Sequence, residues 1–127
     1  MFPHTITIFN VIDDKYYRKE ISDVFAITER IISKEGKGEK FVSAHRVIFS
    51  NIAMNDYLEP QDYFKLSDKS NNYTLRENDI IVIGKFDDIN DLSTIQKSSC
   101  EYFLIKTVSV NKYGDIELQN IEVTDWI

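Results

Sequence analysis

Chemistry in this chain would have to start from a short set of side chains: His45, Cys100, the oxygen-rich run Asp87, Asp88, Asn90 and Asp91, or the Gly36-x-Gly38 pair. His45 could serve as a base or a metal ligand, but no second His, Cys or carboxylate stands at a recognisable ligand spacing from it, so it reads as a satisfied or solvated histidine. Cys100 is the single cysteine, which excludes an intrachain disulfide and a cysteine-built metal site within one chain. Without an evident base nearby it reads as a small buried residue at the start of a strand. The Asp87–Asp91 run offers oxygens to a divalent cation, yet it lacks the alternating ligands, central glycine and terminal Glu of an EF-hand loop. It reads instead as the capped start of a helix, with Ile89, Leu92 and Ile95 spaced three apart behind it. Gly36-x-Gly38 has no third glycine and no Gly-Lys-Ser/Thr after it, so it is not a phosphate loop. No Ser/His/Asp, Cys/His or paired-carboxylate arrangement has diagnostic spacing, and no enzyme, cofactor or metal is expected.

The elements that carry these residues are mostly strands. Ile80, Ile81, Val82 and Ile83 form an unbroken β-branched run that would be buried on both faces, and it reads as the central strand. Arg76-Glu77-Asn78-Asp79 before it is turn-prone, and Gly84 after it permits a bend. Residues from His4 to Val11 alternate with period two, as a half-buried first strand does. Asp13-Asp14-Lys15 breaks that strand, and Tyr16 to Ile21 resumes as extended chain, with a helix as the alternative. Val24 to Ser33 and Phe41 to Ser50 flank the charged link Lys34, Glu35, Gly36, Lys37, Gly38, Glu39 and Lys40, a hairpin with a glycine-containing tip. Asn51 to Glu59 and Ser67 to Asn72 read as loops, and Pro60 suits the first position of a short helical turn. Tyr102 to Val110 reads as one strong strand, Asn111 to Asp115 as its turn, and Ile116 to Thr124 as the returning strand. Trp126 and Ile127 form an apolar pair that either folds back on the core or is offered to a neighbour.

At 127 residues with 43% apolar content, the chain is long enough for one core and too apolar for wholesale disorder. A single β-barrel domain over residues 1–127, with one or two short helical segments and long hairpins, is the expected fold. The excess of 21 acidic over 15 basic residues gives a net charge of −6, which disfavours phosphate backbones as ligands. A binding barrel of the OB type for single strands would need aromatics interleaved with a basic groove. Tyr16-Tyr17-Arg18-Lys19 comes nearest, but Asp13, Asp14, Glu20 and Asp23 surround it. Met1-Phe2-Pro3-His4 has neither a basic nor an apolar signal region, and no apolar run approaches the ~20 residues of a membrane span. The expectation is a chain made and kept in cytoplasm, or carried in a particle assembled there.

The order of several motifs is also familiar. Met1-Phe2-Pro3-His4-Thr5-Ile6-Thr7-Ile8, Pro60-x-x-Tyr63-x-x-Leu66-Ser67-Asp68-Lys69, Asn78-Asp79-Ile80-Ile81-Val82-Ile83-Gly84 and Phe103 to Val110 followed by Tyr113-Gly114 resemble a family of small structural proteins from tailed bacteriophages of Gram-positive bacteria. Members often carry Pro-Gly-Asp where this chain has Glu77-Asn78-Asp79, and a His where it has Asn120. The resemblance implies a minor capsid protein of the head–tail connector, a head-completion or head-closure (stopper-like) β-barrel in a virion or prophage. Such a protein forms a homo-oligomeric ring below the portal and adaptor, lets DNA pass without specific binding, retains it after packaging and docks the tail. A tail terminator or tail-completion protein is the neighbouring role. Within that picture Lys34 to Lys40 is the candidate projecting plug, with an ordinary surface hairpin as the alternative, and Trp126 and Ile127 are candidate inter-subunit contacts.

Overall fold

The computed structural model describes residues 3–35, 38–50, 52–111 and 120–125, with the backbone alone described at 30–35, 38–43, 111 and 120. Strands β1 (His4–Ile12), β2 (Lys15–Glu35) and β3 (Gly38–Phe49) come first. A 3-10 turn (Ala53–Asp56), helix α1 (Pro60–Phe64), strand β4 (Ile80–Ile83) and helix α2 (Leu92–Lys97) follow. Strands β5 (Tyr102–Leu104), β6 (Thr107–Asn111) and β7 (Asn120–Thr124) end the described chain. All seven strands belong to one antiparallel sheet in the order β5-β4-β1-β2-β3-β7-β6, curled into a half-barrel. The fold is mainly β, as its alternating and β-branched runs require.

The curl follows from the connection between β5 and β6. These strands are the two edges of the sheet, yet only Ile105 and Lys106 separate them. Ile105 donates its N–H to Asp79 O (2.9 Å) and accepts from Asn78 N–H (2.8 Å) on the β4 side, while Lys106 N–H reaches Thr124 O (2.8 Å) at the end of β7. A flat sheet cannot bring its edges within two residues of each other, so this one must roll. The expected single strand from Tyr102 to Val110 is therefore two strands with different neighbours. Its uniform β-propensity carries no sign of that change of partner.

Ile80–Ile83 is not the central strand: β2 holds the middle of the sheet and β4 lies next to an edge. The strand is buried on both faces, by two different cores. Ile81 joins Ile6, Ile8, Phe49, Ile121 and Val123 inside the barrel. Ile80 and Val82 face the other way and pack with Phe9, Ile89 and Ile95, the last two brought by the α2 region. A second small core on the outside of β1 and β4 thus replaces the expected second sheet neighbour. β1, too, is buried on both faces from Ile6 to Asn10, rather than on one.

Local signals account for the joints. Asp13 (φ 49°) and Asp14 (φ 64°) form the two-residue turn between β1 and β2, whose register runs to the Ile12–Lys15 pair. Two consecutive left-handed residues match the twist of a tight hairpin, and Asp tolerates that region better than most. Asn78 (φ 74°) turns the chain into β4, and Gly84 (φ 101°) turns it out. A Cβ at Gly84 would meet nothing within 4 Å, so the glycine is there for its backbone angle and not for space. Pro60 opens α1 as its first-turn residue. Asp91 caps α2 by accepting Ser93 N–H at 3.1 Å.

Candidate functional site

The feature that the barrel does not account for is the outer part of β2 and β3. The first half of β2 pairs with β1, from Lys15 to Val24, and its second half pairs with β3, from Val24 to Glu35. At the handover β1 skips a partner: His4 faces Val24 and Thr5 faces Ser22, leaving Asp23 as the extra residue, at φ 66°. A bulge of this kind bends its strand and increases its twist. β3 is flanked by β7 only between Arg46 and Phe49. From the Thr28–His45 pair outward to Glu35–Gly38, β2 and β3 therefore pair only with each other among the described residues. Those eight pairs make a two-stranded ribbon ~26 Å long at ~3.3 Å per residue.

The charged link foreseen between the two strands is mostly strand. Lys34 pairs with Glu39, Glu35 with Gly38 and Ser33 with Lys40, so pairing continues to the last described residues on either side. Gly36 and Lys37, the centre of the candidate tip, lie outside the described residues, as do Trp126 and Ile127. Ile31 is in register with Val42 and Ile32 with Phe41, which places four apolar residues at mid-ribbon, where no third strand among the described residues flanks them.

At the root of the ribbon sits His45, and here spacing in the sequence was silent. Its Nδ1 lies 2.7 Å from Asp125 Oδ2 and its Nε2 lies 2.9 Å from Glu101 Oε1. Asp125 Oδ1 accepts the His45 main-chain N–H at 2.8 Å, and Glu101 Oε1 accepts the Thr28 hydroxyl at 2.8 Å. The ring stacks on Phe103 with centroids 5.1 Å apart and planes 8° from parallel. His45 is thus satisfied, as expected, but by carboxylates 80 and 56 residues away. They converge because β7 pairs with β3 while Glu101 enters β5 at the opposite edge of the curled sheet.

A second polar cluster fixes the far side of the barrel. Asn10, fully buried on β1, donates to Thr74 O (2.6 Å) and Asp79 Oδ2 (2.8 Å) and accepts Thr74 N–H (3.1 Å). Asp79 also accepts Val11 N–H (3.1 Å) and two N–H groups of Arg76 (3.2 and 3.3 Å). The Arg76 guanidinium lies over the Phe64 ring at 4.7 Å. Burial, with Asp79 adding to it, pushes the nearby Tyr63 phenol up to about 12. Asn10, Asp79 and Arg76 satisfy one another and join β1 to the segment entering β4, which is a structural role, while the buried Tyr63 hydroxyl has no hydrogen-bond partner among the described residues.

The remaining candidates resolve differently. Cys100 is exposed, not buried: it lies in the turn after α2, two residues before β5 begins, with its N–H on Ser98 Oγ (3.3 Å). Asp91 of the oxygen-rich run is used as a helix cap. Tyr16, Tyr17 and Arg18 do line a depression of about 390 Å³, with Asp68, Lys69 and Asp88. Its cations are engaged, however. Arg18 contacts Glu20 and the Phe86 carbonyl, and Lys69 donates to Leu66 O (2.7 Å); Lys19, outside the depression, pairs with Asp56 (3.4 Å). That is not the free basic groove a single-strand binder needs.

The match to a family model runs from residue 1 to residue 124. The chain belongs to the family of unknown function DUF6751. The matched region contains all seven strands of this chain. No curated protein and no solved structure matches the chain.

Proposed function

We propose that this member of DUF6751 is a structural component of a bacteriophage head–tail connector, a head-closure (stopper-like) protein. In the virion it forms a ring beneath the portal and adaptor, retains packaged DNA and docks the tail, after assembly in the host cytoplasm. The observation that carries this reading is the β2–β3 ribbon. Two strands alone are marginal in water, and unpaired edges invite a partner. A ribbon of eight pairs with Ile31, Ile32, Phe41 and Val42 at its middle is better explained by surroundings supplied in an assembly than by the isolated chain. The net charge of −6 agrees with a surface past which DNA must slide. Trp126 and Ile127, just beyond β7, are the subunit contacts we assign to the ring, and Lys34 to Lys40 the projecting end.

The test is mass spectrometry of purified particles, comparing DNA-filled heads that lack tails with detached tails. Head closure requires this chain on the filled heads. Recovery on tails alone would replace it with the tail-terminator or tail-completion role. A companion variant replaces 31–42 by Asn-Gly, shortening the ribbon while keeping its root. It should fold, with the barrel core intact, and give heads that lose DNA; normal retention removes the plug from the proposal.

A further inference from the structure

We infer that His45 is a proton-operated latch that ties the root of the β2–β3 ribbon to the opposite edge of the sheet and releases it when the ring loses its charge. Ionised carboxylates only accept, so two carboxylate contacts on one imidazole need two ring N–H groups, which only the charged ring has. In the neutral ring one proton must serve two acceptors. Asp125 holds the stronger claim to it. Its contact is shorter (2.7 against 2.9 Å) and its side chain is less exposed (19% against 47%). It is also held by the main chain whatever the ring does: its Oδ1 accepts His45 N–H, and its own N–H reaches His45 O at 3.3 Å. The neutral ring therefore keeps its proton on Nδ1, and the Nε2 lone pair is left facing Glu101 Oε1.

Glu101 is the side that yields. It is half in solvent, so it can turn outward, and in doing so it drops the Thr28 hydroxyl it accepts. Charged, the latch joins β2 through Thr28, β3 through His45, the entry to β5 through Glu101 and the end of β7 through Asp125. Neutral, it keeps the β3–β7 link and loses the one to β2. The groups facing the ring are Asp125 from β7, Glu101 before β5, the uncharged Thr28 from β2 and the Phe103 face from β5. Arg46, next on β3, is committed to Glu29 and Glu122 at 3.5 Å each. The device stands on this geometry whether or not the ribbon serves a connector.

Amide hydrogen exchange on the full chain, expressed as protection factors across about pH 5 to about 9, reads the latch directly. Protection at Thr28, Glu29 and the facing Ala44 should fall about fivefold as pH rises, equivalent to ~1 kcal/mol at ~1.36 kcal/mol per tenfold. Glu101→Gln should abolish the step, because an amide offers both a donor and an acceptor and can serve either state of Nε2. His4, whose Nδ1 accepts Ala26 N–H (3.0 Å), is untouched by that variant, so the difference isolates His45. Thr28→Val should leave the His45 ring titration visible by NMR while uncoupling β2 from it. A wild-type chain without the step, or the same step in Glu101→Gln, overturns the inference.

Discussion

Asn10→Ala should be among the costliest single substitutions in this chain, although it removes no large apolar side chain. Asn10 is fully buried and makes three hydrogen bonds, two to the Thr74 main chain and one to the Asp79 carboxylate. Neutral hydrogen bonds contribute ~0.5–1.5 kcal/mol each, and one to a charged group about 1.5–3 kcal/mol. Because the abandoned Thr74 groups are fully buried, the loss belongs in the middle of the summed range of about 2.5–6 kcal/mol, about 3–5 kcal/mol in all. Set against a domain stability of roughly 5–15 kcal/mol, that is a large fraction. Urea unfolding followed by fluorescence should show the midpoint falling by about 2 M at an ordinary slope of ~2 kcal/mol per M, with the slope unchanged. Asn10→Asp sharpens the test, since it sets a second carboxylate against Asp79 and should recover stability as pH is lowered. A loss under ~1 kcal/mol for Asn10→Ala, measured at unchanged slope, would mean that the network is wet or slack and the reasoning fails.

Burial pushes the Asp79 carboxyl above its usual 3.8, against the opposing pull of Val11 N–H, Asn10 and Arg76. The native state then holds that proton more tightly than the unfolded chain, so the stability it contributes is complete below 3.8 and lost as pH rises through the shifted value. The stability gap between wild type and Asp79→Asn should accordingly narrow over that window in urea titrations; a widening gap would reverse the assignment. Gly84→Ala should cost ~1–2 kcal/mol through backbone strain alone, since its φ is 101° and a Cβ meets nothing. If calorimetry finds it neutral, the chain relaxes there. Ile95→Ala, which empties the outer core, should cost about 2–5 kcal/mol, whereas exposed Ile52→Ala should stay within ~0.5 kcal/mol. Equal costs would argue that the outer cluster is not a core.

Much of the strand pattern was legible because hydrophobic periodicity and turn chemistry are local. Asp13-Asp14, Asn78, Pro60 and Asp91 each sit where their backbone preferences place them. What could not be read was long-range. The division of Tyr102 to Val110 between two sheet edges depends on where β4 and β7 end up, not on anything within those residues. Burial of Ile80–Ile83 on both faces was correctly inferred, yet a helix covers the second face in place of further sheet. Cys100 was misjudged because small sulfur-bearing residues are usually buried, and a turn overrode that tendency. The His45 cluster left no trace at all, since its members come from four strands or their ends and share no spacing. An Asp directly after the last strand, opposite a lone His, would have been the nearest clue.

Three features of the chain act on the same strand pair. The bulge at Asp23 bends β2 where it leaves β1, the described β3–β7 register ends at the Arg46–Thr124 pair, and the His45 cluster braces the next position. A ribbon that merely decorated the surface would need none of these, because strand pairs without a third neighbour fray at little cost to the domain. The brace is placed at the Thr28–His45 pair, the first beyond the described β3–β7 register, and it reaches across to the entry of β5. Its position fixes the direction in which the ribbon leaves the barrel while leaving the length of the ribbon free. In the connector role proposed above, a ribbon of set direction is what a contact at its far end would require.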